Sequence, residues 1–309
     1  MSTGFNPRRL LARQFSARGV NRLLLLLPYA WLLLFFLAPF AIIFKISFAE
    51  PVLANPPYLP LFDWAEDATQ RITATLDNYL FVLQDRLYLY TYLNSVRLAA
   101  VSTLLVLLIG YPMAYAIARA PREKQTLLLL LVIIPFWTSF LLRVYALVGL
   151  FNTSGLVNSS LMSLGLTDAP VQILYTDFAM YFGIVYSYLP FMILPLYASL
   201  EKLDGDLLDA AADLGAGPIR SFFTVTVPLS MPGIIAGCLL VFIPAMGEYV
   251  IPSLLGGADS LMIGRVLYSE YFDNNDWPVS SAIAVILLLL LVLPIALLRY
   301  YQDREVQQP

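Results

Sequence analysis

Asp206-Leu207-Leu208-Asp209-Ala210-Ala211-Ala212-Asp213-Leu214-Gly215-Ala216-Gly217-Pro218-Ile219-Arg220-Ser221-Phe222-Phe223-Thr224-Val225-Thr226-Val227-Pro228 is a polar island between two apolar stretches, residues 178–200 and 233–255. Asp206 stands where an N-cap is expected, and Leu207, Ala211 and Leu214 fall at i, i+4 and i+7 on one face of a short helix. Gly215, free to adopt a positive φ, ends that helix. Pro218 fits the first position of a second helix, whose face carries Ile219, Phe222, Phe223 and Thr226. The segment reads as helix, tight turn, helix. An exposed aromatic pair beside charge is the composition of a docking knob for another protein.

The two flanking stretches belong to a set of six: residues 23–48, 93–118, 127–151, 178–200, 233–255 and 279–298. Each reaches the ~20 apolar residues that a helix needs to cross ~30 Å of hydrocarbon with every backbone group satisfied internally. The expected fold class is therefore an all-α integral membrane protein with six transmembrane helices. Composition agrees: 60% of the 309 residues are hydrophobic and 13% charged, against roughly 25% charged in an ordinary soluble domain. A mean hydropathy of +0.76 excludes a soluble globular protein. The net charge of −3 leaves no basic excess for a phosphate backbone, so no nucleic-acid partner is expected. With no histidine and one cysteine, Cys238, a His-based dyad, a disulfide within the chain and a Cys/His zinc site are all excluded.

Lys and Arg in the flanks orient the chain, because positive loops stay in the cytoplasm. Arg8, Arg9, Arg13, Arg18 and Arg22 precede the first stretch; Arg119, Arg122 and Lys124 follow the second; Lys202 and Arg220 follow the fourth; Arg299 and Arg304 follow the sixth. The opposite side carries Arg71, Arg86 and Arg265 among Asp, Glu, Trp and Tyr. Both termini are expected on the cytoplasmic side of the membrane. Residues 1–22 form a basic cytoplasmic segment and 23–48 the first span, too long for the roughly 7–15-residue core of a secretion signal and hence retained. Residues 49–90 form an outer loop, where Pro51, Pro56, Pro57 and Pro60 limit regular structure. There Leu76, Tyr79, Leu80 and Leu83 predict an amphipathic helix, more a packing element than a membrane-binding one. A five-helix core, 91–299, and a cytoplasmic tail, 300–309, complete the chain. Pro28, Pro39, Pro112, Pro135, Pro190, Pro195, Pro244 and Pro294 lie within the spans, where kinked helices suit a transporter that opens alternately to two faces.

Asp209-Ala210-Ala211, three residues, Gly215, nine residues, Val225, one residue, Val227-Pro228 matches every spacing of the Glu-Ala-Ala loop of permease subunits in bacterial ABC importers. The chain resembles that family, with Asp for Glu and Val for the Ile and Leu of its pattern. The resemblance implies a type I, MetI-like importer architecture in which loop 201–230 is a coupling-helix loop seated on an ATP-hydrolysing partner. Asp209, Ala210 and Ala211 would pack closely there, Gly215 would make the turn, and Ile219, Phe222 and Phe223 would make the contact. The Walker pattern Gly-x-x-x-x-Gly-Lys-Ser/Thr is absent from the sequence. This chain is thus expected to be no enzyme and to hold no cofactor, ATP and Mg being bound by two separate ATPase subunits.

Pro135-Phe136-Trp137-Thr138-Ser139-Phe140-Leu141-Leu142-Arg143-Val144-Tyr145, residues 185–195 and residues 242–257 extend the resemblance to permeases of polyamine importers, of the putrescine and spermidine type. That likeness implies as partners a second permease, a different chain from this one, a periplasmic polyamine-binding protein and the lipid of a bacterial inner membrane. An amine dication would be received through carboxylates and aromatic faces. Glu248, an acid in an apolar stretch, is a candidate for the substrate path, beside Tyr249, Trp137, Tyr145, Tyr186 and Tyr188. Packing or interfacial roles compete for the aromatics. For Glu248 an internal ion pair with Arg143 or Arg97 competes equally. Other members of the superfamily carry sulfate, ferric ion or thiamine, which leaves the substrate open at this point. A membrane-embedded enzyme is disfavoured by the lack of a catalytic constellation, and a passive channel by the coupling loop.

Overall fold

The computed structural model describes residues 26–64, 70–257 and 260–306. The basic segment 1–22, Glu66 and Asp67 of the outer loop and the last three residues lie outside the described residues. Two compact units are distinguished, residues 1–81 with 275–289 and residues 82–274 with 290–309.

In the first unit, α1 (Leu26–Ile46) is long and apolar and passes through a π-helical turn at Leu33–Leu37. Its side chains up to Phe44 are almost all exposed, as expected of a helix whose covering is hydrocarbon. The chain after α1 is pinned by Asn78 on α2 (Asp77–Gln84), whose amide donates to the carbonyls of Ser47 at 3.0 Å and Ala49 at 2.8 Å. Asn78 is buried, while Leu76 and Leu80 are exposed; α2 continues into the second unit, where Val82 is buried and Leu83 exposed. Of the apolar stripe read from the sequence, Tyr79 packs, its hydroxyl bonded to Ser47 Oγ at 2.6 Å and its ring 5.2 Å from that of Phe48, while the three leucines face outward. The outer loop also forms a two-stranded antiparallel ribbon, β1 (Phe62–Trp64) with β2 (Gln70–Ile72), Asp63 opposite Arg71. Apart from this ribbon the elements of regular structure among the described residues are all helical.

The second unit is built on α3 (Arg86–Arg119), α7 (Asp177–Leu200) and α10 (Met231–Met246). Asp85 caps α3, accepting from the Leu87 amide at 2.8 Å, and α3 continues through Pro112 without interruption. Likewise α7 accommodates Pro190 and Pro195. Between them, α4 (Arg122–Ile133), a 3-10 turn (Ile134–Trp137), α5 (Phe140–Phe151) and α6 (Leu156–Ser163) replace the uninterrupted span expected over 127–151. Pro135 cannot donate, and Thr138 and Ser139 are extended, so the helix stops and restarts. Small residues let the three long helices close up. A Cβ at Gly233 on α10 would lie 2.8 Å from the Pro195 carbonyl oxygen of α7, so only glycine permits this approach. Met180, Met192, Ile193 and Leu196 of α7 fill the interior, with Leu98, Ala99 and Val106 of α3.

α8 (Asp206–Asp213) and α9 (Pro218–Leu229) follow α7, and α9 meets α10 at a bend of 66°. Beyond α10 come α11 (Val250–Leu254), α12 (Ile263–Tyr268) with a π-helical turn at Ser269–Asp273, and α13 (Trp277–Val306), which begins in the first unit and ends in the second. The stretch expected as one span over 233–255 is therefore two helices separated at 247–249. Four described helices are long and apolar enough to cross a membrane, or five if the bent pair α9 and α10 counts as one; α13 adds an apolar portion at Trp277–Val292.

Candidate coupling loop and intramembrane acid

The polar island forms the helix pair its residues call for, with one shift of register. Gly205 is the N-cap position of α8 and Asp206 its first helical residue; the Asp204 carboxylate accepts from the Asp206 amide at 3.2 Å. Asp206 and Asp209 remain in the first turn, where the helix dipole favours negative charge. At the other end Gly215 has φ +80°. Its amide donates to Ala212 at 2.8 Å and that of Ala216 to Ala211 at 2.9 Å, the paired bonds of a Schellman turn. Pro218 occupies the first turn of α9.

Leu208, Ala212, Ala216, Pro218, Ser221, Phe222, Thr226 and Tyr115 line a cavity of about 260 Å³ beneath this turn. The half-buried residues of α8 are accordingly Leu208 and Ala211; of the expected face, Ala211 is covered while Leu207 and Leu214 are exposed. The aromatic pair divides its duties. Phe222 is half-buried, its ring edge-on to Tyr111 at 5.5 Å, Tyr115 at 5.8 Å and Phe223 at 5.1 Å, which rivets α9 to α3. Phe223 is 64% exposed, Ile219 77% and Leu214 89%. Of the expected contact residues, Ile219 and Phe223 point outward and Phe222 does not. Asp209 and Ala210 are exposed and Ala211 is half-buried. Leu214, which helical spacing puts on the face with Ala211, instead joins the exposed apolar residues around Gly215.

Glu248 lies in the gap between α10 and α11 and is 7% exposed. Its Oε2 accepts from the Tyr188 hydroxyl of α7. Its Oε1 accepts from the amides of Val250 at 3.0 Å and Ile251 at 3.4 Å, so the carboxylate caps α11. Three protein donors therefore satisfy an acid that would be costly without them. The expected alternative of an ion pair finds no support in the geometry. Arg143 on α5 is 8% exposed, and its Nε and Nη1 have no hydrogen-bond partner. Its guanidinium lies 4.7 Å from the Phe136 ring centre and 5.7 Å from that of Phe140. Phe136 meets Phe191 edge-on at 5.0 Å, and Phe191 lies 6.0 Å from Tyr188. A chain of ring contacts thus runs from the Arg143 guanidinium to Tyr188, the partner of Glu248. Arg97 is exposed on α3.

Among the other path candidates, Tyr249 stacks on Tyr268 at 4.1 Å. Trp137, at the end of the 3-10 turn, and Tyr145, on α5, are exposed. Tyr186 borders an apolar cavity of about 470 Å³ with Met113, Leu128, Val132, Leu189 and Ile193. Only Tyr188 joins Glu248 directly.

Residues 106–308 match the family model for the binding-protein-dependent transport system inner membrane component. The chain belongs to this family. Its similarity to individual permeases extends over nearly the whole length. It is 41% identical over 273 residues to the spermidine/putrescine transport system permease protein PotB of Escherichia coli (strain K12), covering 88% of this chain and 93% of the relative. With the PotB protein of Haemophilus influenzae it shares 40% over 277 residues, covering 90% and 91%. In fold, this permease resembles a chain of a bacterial ABC transporter involved in the import of the acidic polysaccharide alginate, with a TM-score of 0.68 at 16% identity over 96% of this chain and 99% of that one. A chain of the MetNI methionine ABC transporter gives 0.51 at 17% identity over 71% and 94%. As an ABC importer permease, the chain is a transport subunit, with ATP hydrolysis carried out by separate subunits.

Proposed function

We propose that this permease moves polyamines, putrescine or spermidine, from the periplasm to the cytoplasm in an ATP-driven importer. The observation that carries the substrate class is the 41% identity over 88% of the chain with a permease named for spermidine and putrescine. The Schellman-turned helix pair, with Leu214, Ile219 and Phe223 presented around Gly215, supports coupling to an ATPase. Six spans place both termini in the cytoplasm, with the fifth bent and broken around α9, α10 and α11. A second permease chain completes the passage, two ATPase subunits hold ATP and Mg below, and a polyamine-loaded binding protein docks above.

In the proposed cycle, nucleotide-driven closure of the ATPase pair moves α8 and α9, and the Phe222 contacts with Tyr111 and Tyr115 carry that movement to α3. The passage opens outward, takes up the amine, and returns inward after hydrolysis. The test is uptake of radiolabelled putrescine and spermidine by proteoliposomes that contain the complete complex. ATP-dependent accumulation of either amine supports the reading. Uptake that ignores ATP, or entry of sulfate with neither amine transported, overturns it.

A further inference from the structure

Gly264, on α12, is buried against the backbone of Gly247 and Glu248. A Cβ there would lie 2.6 Å from the Glu248 carbonyl oxygen, so the glycine lets α12 rest its backbone on the gap between α10 and α11. Bonds to α3 hold it there: Asn94 donates to the Leu261 carbonyl at 2.9 Å, and the Ile263 amide to Ser95 Oγ at 2.8 Å. One turn later Tyr268 lies over Tyr249, rings 4.1 Å apart and 18° from parallel. The π-helical turn at Ser269–Asp273 then brings Phe272 onto Tyr268 at 4.6 Å. The result is a ladder of three rings ending in Phe272, which is 62% exposed.

Two acids flank the ladder, and they differ. Glu270 is occupied, accepting from Tyr88 at 2.8 Å and from Asn274 at 2.8 Å. Asp273 is exposed and takes one bond, from Ser269 Oγ to Oδ2 at 2.9 Å. Among the described residues nothing bonds its Oδ1, and Arg265 on α12 makes no ion pair with it. Asp273 directly follows Phe272, so an exposed carboxylate and an exposed ring stand on adjacent residues. An exposed ring face, stacked tyrosines and an unneutralised carboxylate together meet the needs of an alkylammonium. The carboxylate takes the charged end, while the rings take the cation's field and the methylene chain.

We propose that Tyr249, Tyr268, Phe272 and Asp273 form an entry site for one ammonium end of a linear amine, on the side assigned above to the periplasm. This rests on the polyamine reading and deepens it. One carboxylate serves one ammonium, so the site holds one end of the amine and leaves the other free to move on.

The experiment uses the full complex with its ATPase, second permease and binding protein in proteoliposomes, measuring putrescine uptake and ATP hydrolysis together at saturating loaded binding protein. Asp273→Asn and Phe272→Ala are expected to lower uptake by roughly 3- to 10-fold, with stimulated hydrolysis kept, so that fewer amines enter per ATP. Asp273→Glu and Phe272→Trp are expected to restore the ratio. Equal loss of uptake and hydrolysis, or an unchanged ratio in both variants, overturns the site while leaving the polyamine reading standing. A wild-type complex that imports no amine at all overturns that reading, and the site with it.

Discussion

The Tyr188 hydroxyl donates to the Glu248 carboxylate, joining the middle of α7 to the gap between α10 and α11 across 60 residues of sequence. The same carboxylate also receives the amides of Val250 and Ile251. Glu248 thus holds a broken helix in place, and a charged hydrogen bond of this kind contributes about 1.5–3 kcal/mol when buried.

Replacing either partner should therefore cost stability before it alters transport. Tyr188→Phe and Glu248→Gln are each expected to lower the melting temperature of the purified complex, and the double variant to lose less than the sum. A coupling of about 1–3 kcal/mol is expected from the cycle. Strict additivity would show that the bond is not made. Retained assembly with a raised KM for uptake in Glu248→Gln alone would move Glu248 back towards the substrate path.

Phe222 and Phe223 are neighbours with opposite expected phenotypes. Phe222→Ala empties the contact with Tyr111 and Tyr115 and should destabilise by about 2–3 kcal/mol, somewhat below a fully buried ring. Phe223→Ala removes a side chain that touches little of its own chain. It should melt like wild type and bind the ATPase subunit less well in co-purification. Equal melting of both variants would contradict the division.

Gly215 offers a separate test of the coupling turn. At φ +80° a valine is strained by roughly 1–2 kcal/mol, and asparagine by less. Gly215→Val should uncouple uptake from hydrolysis, with Gly215→Asn intermediate, as read by amine transported per ATP. Unchanged coupling in the valine variant would count against the loop as the transmission point.

Asn78 anchors the chain that leaves α1, through its bonds to Ser47 and Ala49. Asn78→Ala leaves two carbonyls without that donor in a buried position and is expected to cost about 1–3 kcal/mol. Limited proteolysis should then cut near residues 47–60 sooner than in wild type. Asn78→Leu, similar in size but without donors, should behave as the alanine variant does.

Much of this protein is legible in its sequence, because some requirements are local. A helix in hydrocarbon must satisfy its backbone within the segment, so long apolar runs such as 23–48 and 178–200 announce themselves. The coupling loop is local as well: a glycine that takes positive φ and a proline at a first helical turn define helix, turn and helix within a few residues. Its spacing from Asp209 to Pro228 was enough to place the chain in its family.

Which face of an element is covered is not local, and there only the tertiary structure decided. Leu208 rather than Leu207 packs beneath α8, and Phe222 rather than Phe223 meets α3, because the neighbouring helix determines which side chains lose water. Glu248 could be read from sequence as a ligand or as half of an ion pair. Its fate depended on Tyr188, distant in the chain, and on a helix break that exposes two amides beside it. The ladder of Tyr249, Tyr268 and Phe272 exists only because Gly264 lets α12 lie against that break. A sequence states the chemistry each residue carries; long-range packing selects which of those groups meet.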